Sequence, residues 1–301
     1  FEVKDLLKEN DNFLVVKVDN KRKVENVPTV NQDWWNYGGI TRSVHLITTP
    51  KSHIADYLIQ LPKGQANMIE GWVLVANGKD GDMVSLSIPE LKKTVKSIIK
   101  NGKANFSIKV KPELWSPKNP KTYEVILKTS TDEITDNIGF RSIETKDSKI
   151  LLNGKPIFLK GISIHEEAPF KTGRVVSKEE CKILLEWAKE LGCNFIRLAH
   201  YPHSEAMVRE AEKMGFLVWS EIPVYWTIQF DNIDTYKNAK NQLTEMIYRD
   251  KNRAAVVLWS MANETPEGEA RLSFITDLAK QARKLDNTRL ITAALDTQGY
   301  G

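Results

Sequence analysis

The chain has 301 residues, 41% of them hydrophobic and 27% charged, with a formal net charge of +4. This is the composition of soluble globular domains, and the length allows two or three of them. No apolar run approaches the roughly 20 residues a membrane helix needs, and the small, dispersed charge argues against a nucleic-acid footprint.

In chain order, Phe1-Glu2-Val3-Lys4 begins no signal peptide. An export signal removed earlier, or lying upstream, stays compatible with this start, and a periplasmic or secreted location is slightly favoured over a cytoplasmic one. Phe13-Leu14-Val15-Val16-Lys17-Val18 and Ser43-Val44-His45-Leu46-Ile47 read as strands. Between them lies the aromatic, glycine-rich run Asp33-Trp34-Trp35-Asn36-Tyr37-Gly38-Gly39-Ile40. Residues 1–50 are too few for an independent core of this type and are expected to belong to a larger sandwich.

Residues 51–143 carry short alternating strands, such as Tyr57-Leu58-Ile59-Gln60-Leu61 and Tyr123-Glu124-Val125-Ile126-Leu127. Turn signals at Asn77-Gly78, Asn101-Gly102 and Ser116-Pro117 separate them. The pattern predicts an immunoglobulin-like β-sandwich. Lys92, Lys93, Lys96 and Lys100 read as the solvated surface of one of its hairpins.

From residue 144 the pattern becomes strand, helix, strand, helix. Five nearly continuous apolar runs, 157–164, 194–198, 217–220, 256–261 and 290–294, suit parallel strands covered on both faces. Ser177 with Glu180 forms a capping box before the stripe Cys181, Leu184, Leu185, Ala188 and Leu191, and Gly192 ends that helix. Met207, Val208, Ala211 and Met214 make the next stripe, closed by Gly215. Two further helical stripes start at Tyr236 and Leu272. Cys181 and Cys193 lie at opposite ends of the first helix, too far apart for a disulfide, and read as core thiols. The strand spacing fits a (β/α)8 barrel or a doubly wound sheet, and the absence of G-x-G-x-x-G after the first strand argues against dinucleotide binding.

Parallel β/α barrels gather their chemistry at the C-terminal strand ends. The first strand here runs into His165-Glu166-Glu167, the second into His200-Tyr201-Pro202, the third into Glu221-Ile222-Pro223, and the fourth into Asn263-Glu264. Trp219, Tyr225, Trp226 and Trp259 lie nearby and offer flat faces suited to the C–H face of a sugar ring. Arg197 is expected to pair with a barrel carboxylate. His165, His200, Glu221 and Glu264 could instead hold a metal, although the His-x-His pattern of many such barrels is missing after the first strand.

These motifs resemble glycoside hydrolase family 2, the β-galactosidase/β-glucuronidase family. Trp259-Ser260-Met261-Ala262-Asn263-Glu264 is similar to its Asn-Glu signature, Gly161 to Glu167 to its first-strand motif, and Arg197-Leu198-Ala199-His200-Tyr201-Pro202 to its Arg-x-x-His-Tyr-Pro motif. Residues 33–42 resemble the end of the family's sugar-binding jelly roll. Leu114-Trp115-Ser116-Pro117 and Gly139-Phe140-Arg141 resemble its middle sandwich and the exit from it. The resemblance thus implies part of a jelly roll at 1–50, an immunoglobulin-like sandwich at 51–143, and a (β/α)8 barrel from 144 to 301 that is cut after about strand five.

The resemblance further implies a retaining exo-β-glycosidase acting on a terminal β-galactoside or β-glucuronide, with β-mannoside also open. Glu264 would be the acid/base, and Asn263, His165 and His200 would contact the sugar; Glu221 would either touch sugar or hold Arg197 or a histidine in place, and Trp259 would either contact the sugar or pack in the core. The nucleophile is a glutamate expected beyond Gly301, so this stretch alone should lack activity. No cofactor is required, although the resemblance allows a Mg²⁺ or Na⁺ ion. The partner is a glycoside or oligosaccharide, with neither nucleic acid nor membrane, and a homo-oligomer is allowed. Two other readings stay open: a non-catalytic carbohydrate-binding relative and a metal-dependent barrel hydrolase.

Overall fold

A computed structural model describes residues 2–296, so the last five residues of the expected barrel segment lie outside it. Seven strands, β1 (His53–Gln60), β2 (Met68–Ala76), β3 (Met83–Ile88), β4 (Lys93–Ile98), β5 (Lys103–Lys109), β6 (Tyr123–Lys128) and β7 (Glu133–Ile138), form two facing antiparallel sheets, ordered β1-β2-β5 and β4-β3-β6-β7. Alternation drives their packing. Ala104, Phe106 and Ile108 of β5 (Lys103–Lys109) point inward, as do Val84, Leu86 and Ile88 of β3 (Met83–Ile88), into one shared core. A small sheet of β8 (Ile143–Lys146), β9 (Lys149–Leu152) and β10 (Lys155–Pro156) leads out of the sandwich.

Five parallel strands follow: β11 (Gly161–Ile164), β12 (Phe195–Leu198), β13 (Leu217–Glu221), β14 (Val256–Asn263) and β15 (Leu290–Ala294). Their order in the sheet is their order in the chain. A doubly wound sheet reverses direction at its middle, whereas a barrel adds each strand beside the last, so this is a barrel arc. Among the described residues β11 and β15 each pair on one side only.

Helices α1 (Lys178–Glu190), α2 (Glu205–Met214), α3 (Ile233–Asp250) and α4 (Glu269–Leu285) connect the strands. The expected stripe on α1 is buried at Cys181, Leu184, Leu185 and Ala188, behind a complete capping box between Ser177 and Glu180. Cys181 and Cys193 are free and buried. No helix among the described residues is long and apolar enough to cross a membrane.

Two expectations for this part of the chain need correction. Residues 13–18 and 43–47 form no strand. No strand lies beside them among the described residues to complete a ladder, and Phe13 and Val15 remain 91% and 88% exposed. The first barrel strand is also shorter than the apolar run 157–164. Pro156 pairs back to Leu151 in the small sheet, and only Gly161 to Ile164 align with β12.

The sandwich grips the N-terminal end of the barrel arc. Arg141 donates to the Ala254 carbonyl at 3.0 Å, Asn252 accepts from the Ile59 N–H at 2.9 Å, and Trp115 donates to the Glu212 carbonyl at 3.1 Å. Buried Arg253 joins Glu212 of α2 to Asp136 of β7. At the other end, where the strands terminate, Trp34 packs on Tyr201 and Arg42 donates to Glu166.

Gly215 shows how tightly the lower joint is built. It caps α2 with φ +77°, and a Cβ there would lie 2.5 Å from the Pro117 carbonyl oxygen. Gly192, which follows α1 with φ +75°, has open space around it. Gly192→Ala should therefore cost only the backbone strain, about 1 kcal/mol, and Gly215→Ala roughly 2 kcal/mol or more. Urea unfolding midpoints of the two variants check this, and equal losses would remove the contact from the account.

Candidate active site

The tips of β11 to β14 bring the predicted residues to one end of the arc. His165 follows β11, His200 lies just beyond β12, Glu221 ends β13, Asn263 ends β14, and Glu264 comes next. The His165 and His200 rings meet edge to face at 5.2 Å. Burial, and then the proximity of His200, lowers the His165 pKa, so this imidazole is neutral at physiological pH.

Glu221 is the hub beneath them. It is 1% exposed, and both of its oxygens are engaged. Arg197 donates to Oε1 from Nε and to Oε2 from Nη2, each at 3.0 Å. Trp219 Nε1 and Ser260 Oγ also donate to Oε2, each at 3.1 Å. His200 Nδ1 lies 3.0 Å from Oε1 and 3.1 Å from Arg197 Nη2. Of the two roles read for Glu221, touching sugar or holding Arg197 or a histidine, its contacts favour the second.

Arg197 also donates to Asn263 Oδ1. Because the guanidinium has no acceptor, this contact fixes which way the amide points. The Asn263 Nδ2 group is then buried with no hydrogen-bond partner among the described residues.

Trp259 needs correction. It is fully buried, its indole N–H donates to Asp286 at 2.9 Å, and the Arg289 guanidinium lies over its ring. Each position of β14 is buried, so this side chain packs in the core and offers no face to a ligand.

The aromatic wall comes partly from elsewhere in the chain. Trp34, from the N-terminal segment, packs on His200 at 5.9 Å, Tyr201 at 5.3 Å and Tyr225 at 4.9 Å. Burial and then the Asp33 carboxylate push the Tyr225 hydroxyl above its usual pKa. Glu166, adjacent to His165, anchors this segment by accepting from Arg42 at 2.8 Å and from Arg174 at 3.2 Å. Burial acts to raise the Glu166 pKa, but His203 and Arg42 outweigh it and hold the carboxyl below its usual range. Glu166 was read at the first strand's tip, but sequence reasoning did not place Asp33, Trp34 or Arg42 at the site. The aromatic run at 33–37 was the available signal.

The metal set read from sequence does not assemble, because Glu221 is saturated and Glu264 is turned to Trp226, whose indole donates to it at 3.1 Å. Among the described residues, the group that could hold an ion is Asp33, His165 and His200, with ligand atoms within 4.8 Å of one another. Two imidazoles and one carboxylate suit a zinc-like ion, whereas Mg²⁺ and Na⁺ prefer all-oxygen sites.

A β-sandwich joined to an arc of parallel β/α strands, with imidazole, amide and carboxylate groups collected at the strand tips, defines a β/α-barrel class of protein. The family model for the TIM barrel domain of glycosyl hydrolases family 2 matches residues 143–298, and a second model of that family matches residues 69–141. The chain belongs to glycosyl hydrolase family 2.

It is 31% identical to a Formosa agariphila protein provisionally named β-glucuronidase, over 96% of this chain and 38% of that protein. It is 29% identical to a Streptococcus thermophilus β-galactosidase, over 96% of this chain and 30% of the relative. Bacteroides uniformis β-glucuronidase 3 superposes with a TM-score of 0.82 at 28% identity, covering 92% of this chain and 37% of that one. The chain therefore spans well under half the length of each of these relatives.

Proposed function

We propose that the complete protein is a retaining exo-β-glycosidase that removes a terminal β-linked sugar, with Glu264 as its acid/base. The observation that carries this reading is the exposed Glu264 carboxylate standing directly after a buried asparagine whose amide N–H is unpaired, at the tip of β14. It stands beside an aromatic wall. Trp226, which holds its carboxylate, packs on Tyr225 at 4.5 Å, and Tyr225 lies 5.1 Å from His200.

In the first step Glu264 gives its proton to the glycosidic oxygen as the C–O bond breaks, while a second carboxylate supplied beyond Gly301 bonds to the anomeric carbon. In the second step Glu264 takes a proton from water, and the water oxygen displaces that carboxylate. The Asn263 amide N–H is placed to donate to the sugar 2-hydroxyl, a contact that strengthens as charge develops. His200 and neutral His165 would contact other hydroxyls.

We read residues 1–50 as the end of a sugar-binding jelly roll, 51–143 as an immunoglobulin-like sandwich, and 144–301 as the first part of the catalytic barrel. The names of the relatives favour a β-glucuronide or β-galactoside as substrate, and no step in the mechanism needs a metal. Screening the complete protein on 4-nitrophenyl β-glucuronide, β-galactoside and β-mannoside tests this. Turnover of at least one, unchanged by a chelator, is expected. Inactivity on all three would contradict the hydrolytic reading, and chelator-sensitive turnover with bound zinc would favour a metal at Asp33, His165 and His200.

A further inference from the structure

Trp226, one of the aromatic residues read near the strand tips, lies in the loop after β13. Its indole N–H donates to Glu264 Oε2 at 3.1 Å. The ring itself is 36% exposed and backed by the buried Tyr225 ring at 4.5 Å. The backbone on both sides of this contact is tightly constrained. Tyr225 bridges Asn263, the Trp226 N–H donates to the Asn263 carbonyl at 3.1 Å, and the Asn263 N–H donates to the Val224 carbonyl at 2.8 Å. The Glu264 N–H in turn donates to the Ala294 carbonyl at 2.9 Å.

Trp226 and Glu264 both take left-handed backbone conformations, with φ of 50° and 48°. Bulky residues seldom adopt this region unless surrounding bonds enforce it, and such positions concentrate at functional sites. Here both left-handed turns serve a single contact between indole and carboxylate.

We infer that Trp226 is the leaving-group platform of this site: its N–H positions the Glu264 carboxylate, and its exposed face stacks on a flat, apolar-faced aglycone. The inference rests on the acid/base reading of Glu264. That carboxylate must reach the glycosidic oxygen, so a ring bonded to it stands beside the group that departs. The indole occupies Oε2, which leaves Oε1 to carry the proton. An aromatic face in this position favours leaving groups that present a planar surface over small alkyl ones.

The test uses the complete protein and three β-glycosides of whichever sugar it cleaves, with 4-nitrophenyl, benzyl and methyl leaving groups. Trp226→Phe keeps a ring and loses the N–H. It should lower kcat/KM for the benzyl and methyl substrates roughly tenfold or more, leave the activated 4-nitrophenyl substrate nearly unchanged, and preserve the preference for benzyl over methyl. Trp226→Ala should in addition erase that preference, a loss of about tenfold.

An alanine variant that keeps the preference, or a phenylalanine variant that falls equally on all three substrates, would overturn the inference. Equilibrium binding of the slowly cleaved benzyl and methyl thioglycosides separates it from the hydrolytic reading. If wild type prefers the benzyl compound and Trp226→Ala does not, the platform stands even where no turnover is found. If wild type shows no preference, the platform falls whatever the rates.

Discussion

Glu264→Gln in the complete protein should lower kcat/KM by 10²- to 10⁴-fold on alkyl β-glycosides, the range general acid catalysis supplies. The loss should shrink sharply on 4-nitrophenyl glycosides in the glycosylation step, because that leaving group departs without a proton. Glutamine keeps the size of the side chain and can still accept from the Trp226 indole through its amide oxygen. The variant should therefore fold normally, and Glu264 is exposed enough that removing its charge disturbs no core contact. Steady-state kinetics across a leaving-group series reads this directly. A uniform loss on all leaving groups would assign Glu264 a binding role, and no loss would remove it from the chemistry.

The second large effect is expected at Arg197. Its guanidinium neutralises the buried Glu221 carboxylate, contacts His200 at 3.1 Å and orients Asn263. Arg197→Met leaves Glu221 charged, buried and without its cation, a situation that costs about 3–5 kcal/mol when a buried pair is broken from one side. Urea unfolding should show that loss. Turnover should fall as well, because the Asn263 amide and the His200 ring lose the group that orients them. Pairing the change with Glu221→Gln removes the stranded charge and should recover much of the stability while leaving the activity low. Recovery of both together would mean that Arg197 and Glu221 act only as a structural pair. A stability loss under about 1 kcal/mol for the single variant would contradict the buried-pair account.

Much of the barrel was legible because parallel strands covered on both faces leave long apolar runs, and these have few alternative readings. The strands read at 217–220 and 290–294 differ from the observed ones by at most a single residue, and Gly215 caps α2 where the helical stripe ends. His165, His200, Asn263 and Glu264 were found because strand order brings consecutive tips together, so their proximity follows from topology alone.

Other features depend on contacts that no local pattern encodes. Trp34 reaches His200 and Tyr201 from more than 160 residues away in sequence. Trp259 looked like a sugar platform because it sits near a strand tip, but its side chain turns to Asp286 in the core. Glu221 could be read either as a sugar contact or as the support of Arg197 or a histidine, and only the full set of its donors favours the second. Residues 13–18 have strand composition, but composition cannot supply the neighbouring strand that a ladder needs.

The role given to Glu264 is tested most directly by the product that Glu264→Ala forms in the presence of azide. Azide attacks without giving up a proton, so it can release the sugar from the covalent intermediate with no general base. The account predicts that azide restores turnover of an activated aryl glycoside and that the product is the β-glycosyl azide, formed by two inversions. Failure of azide to restore turnover, or formation of the α-glycosyl azide by a single direct displacement, would contradict it.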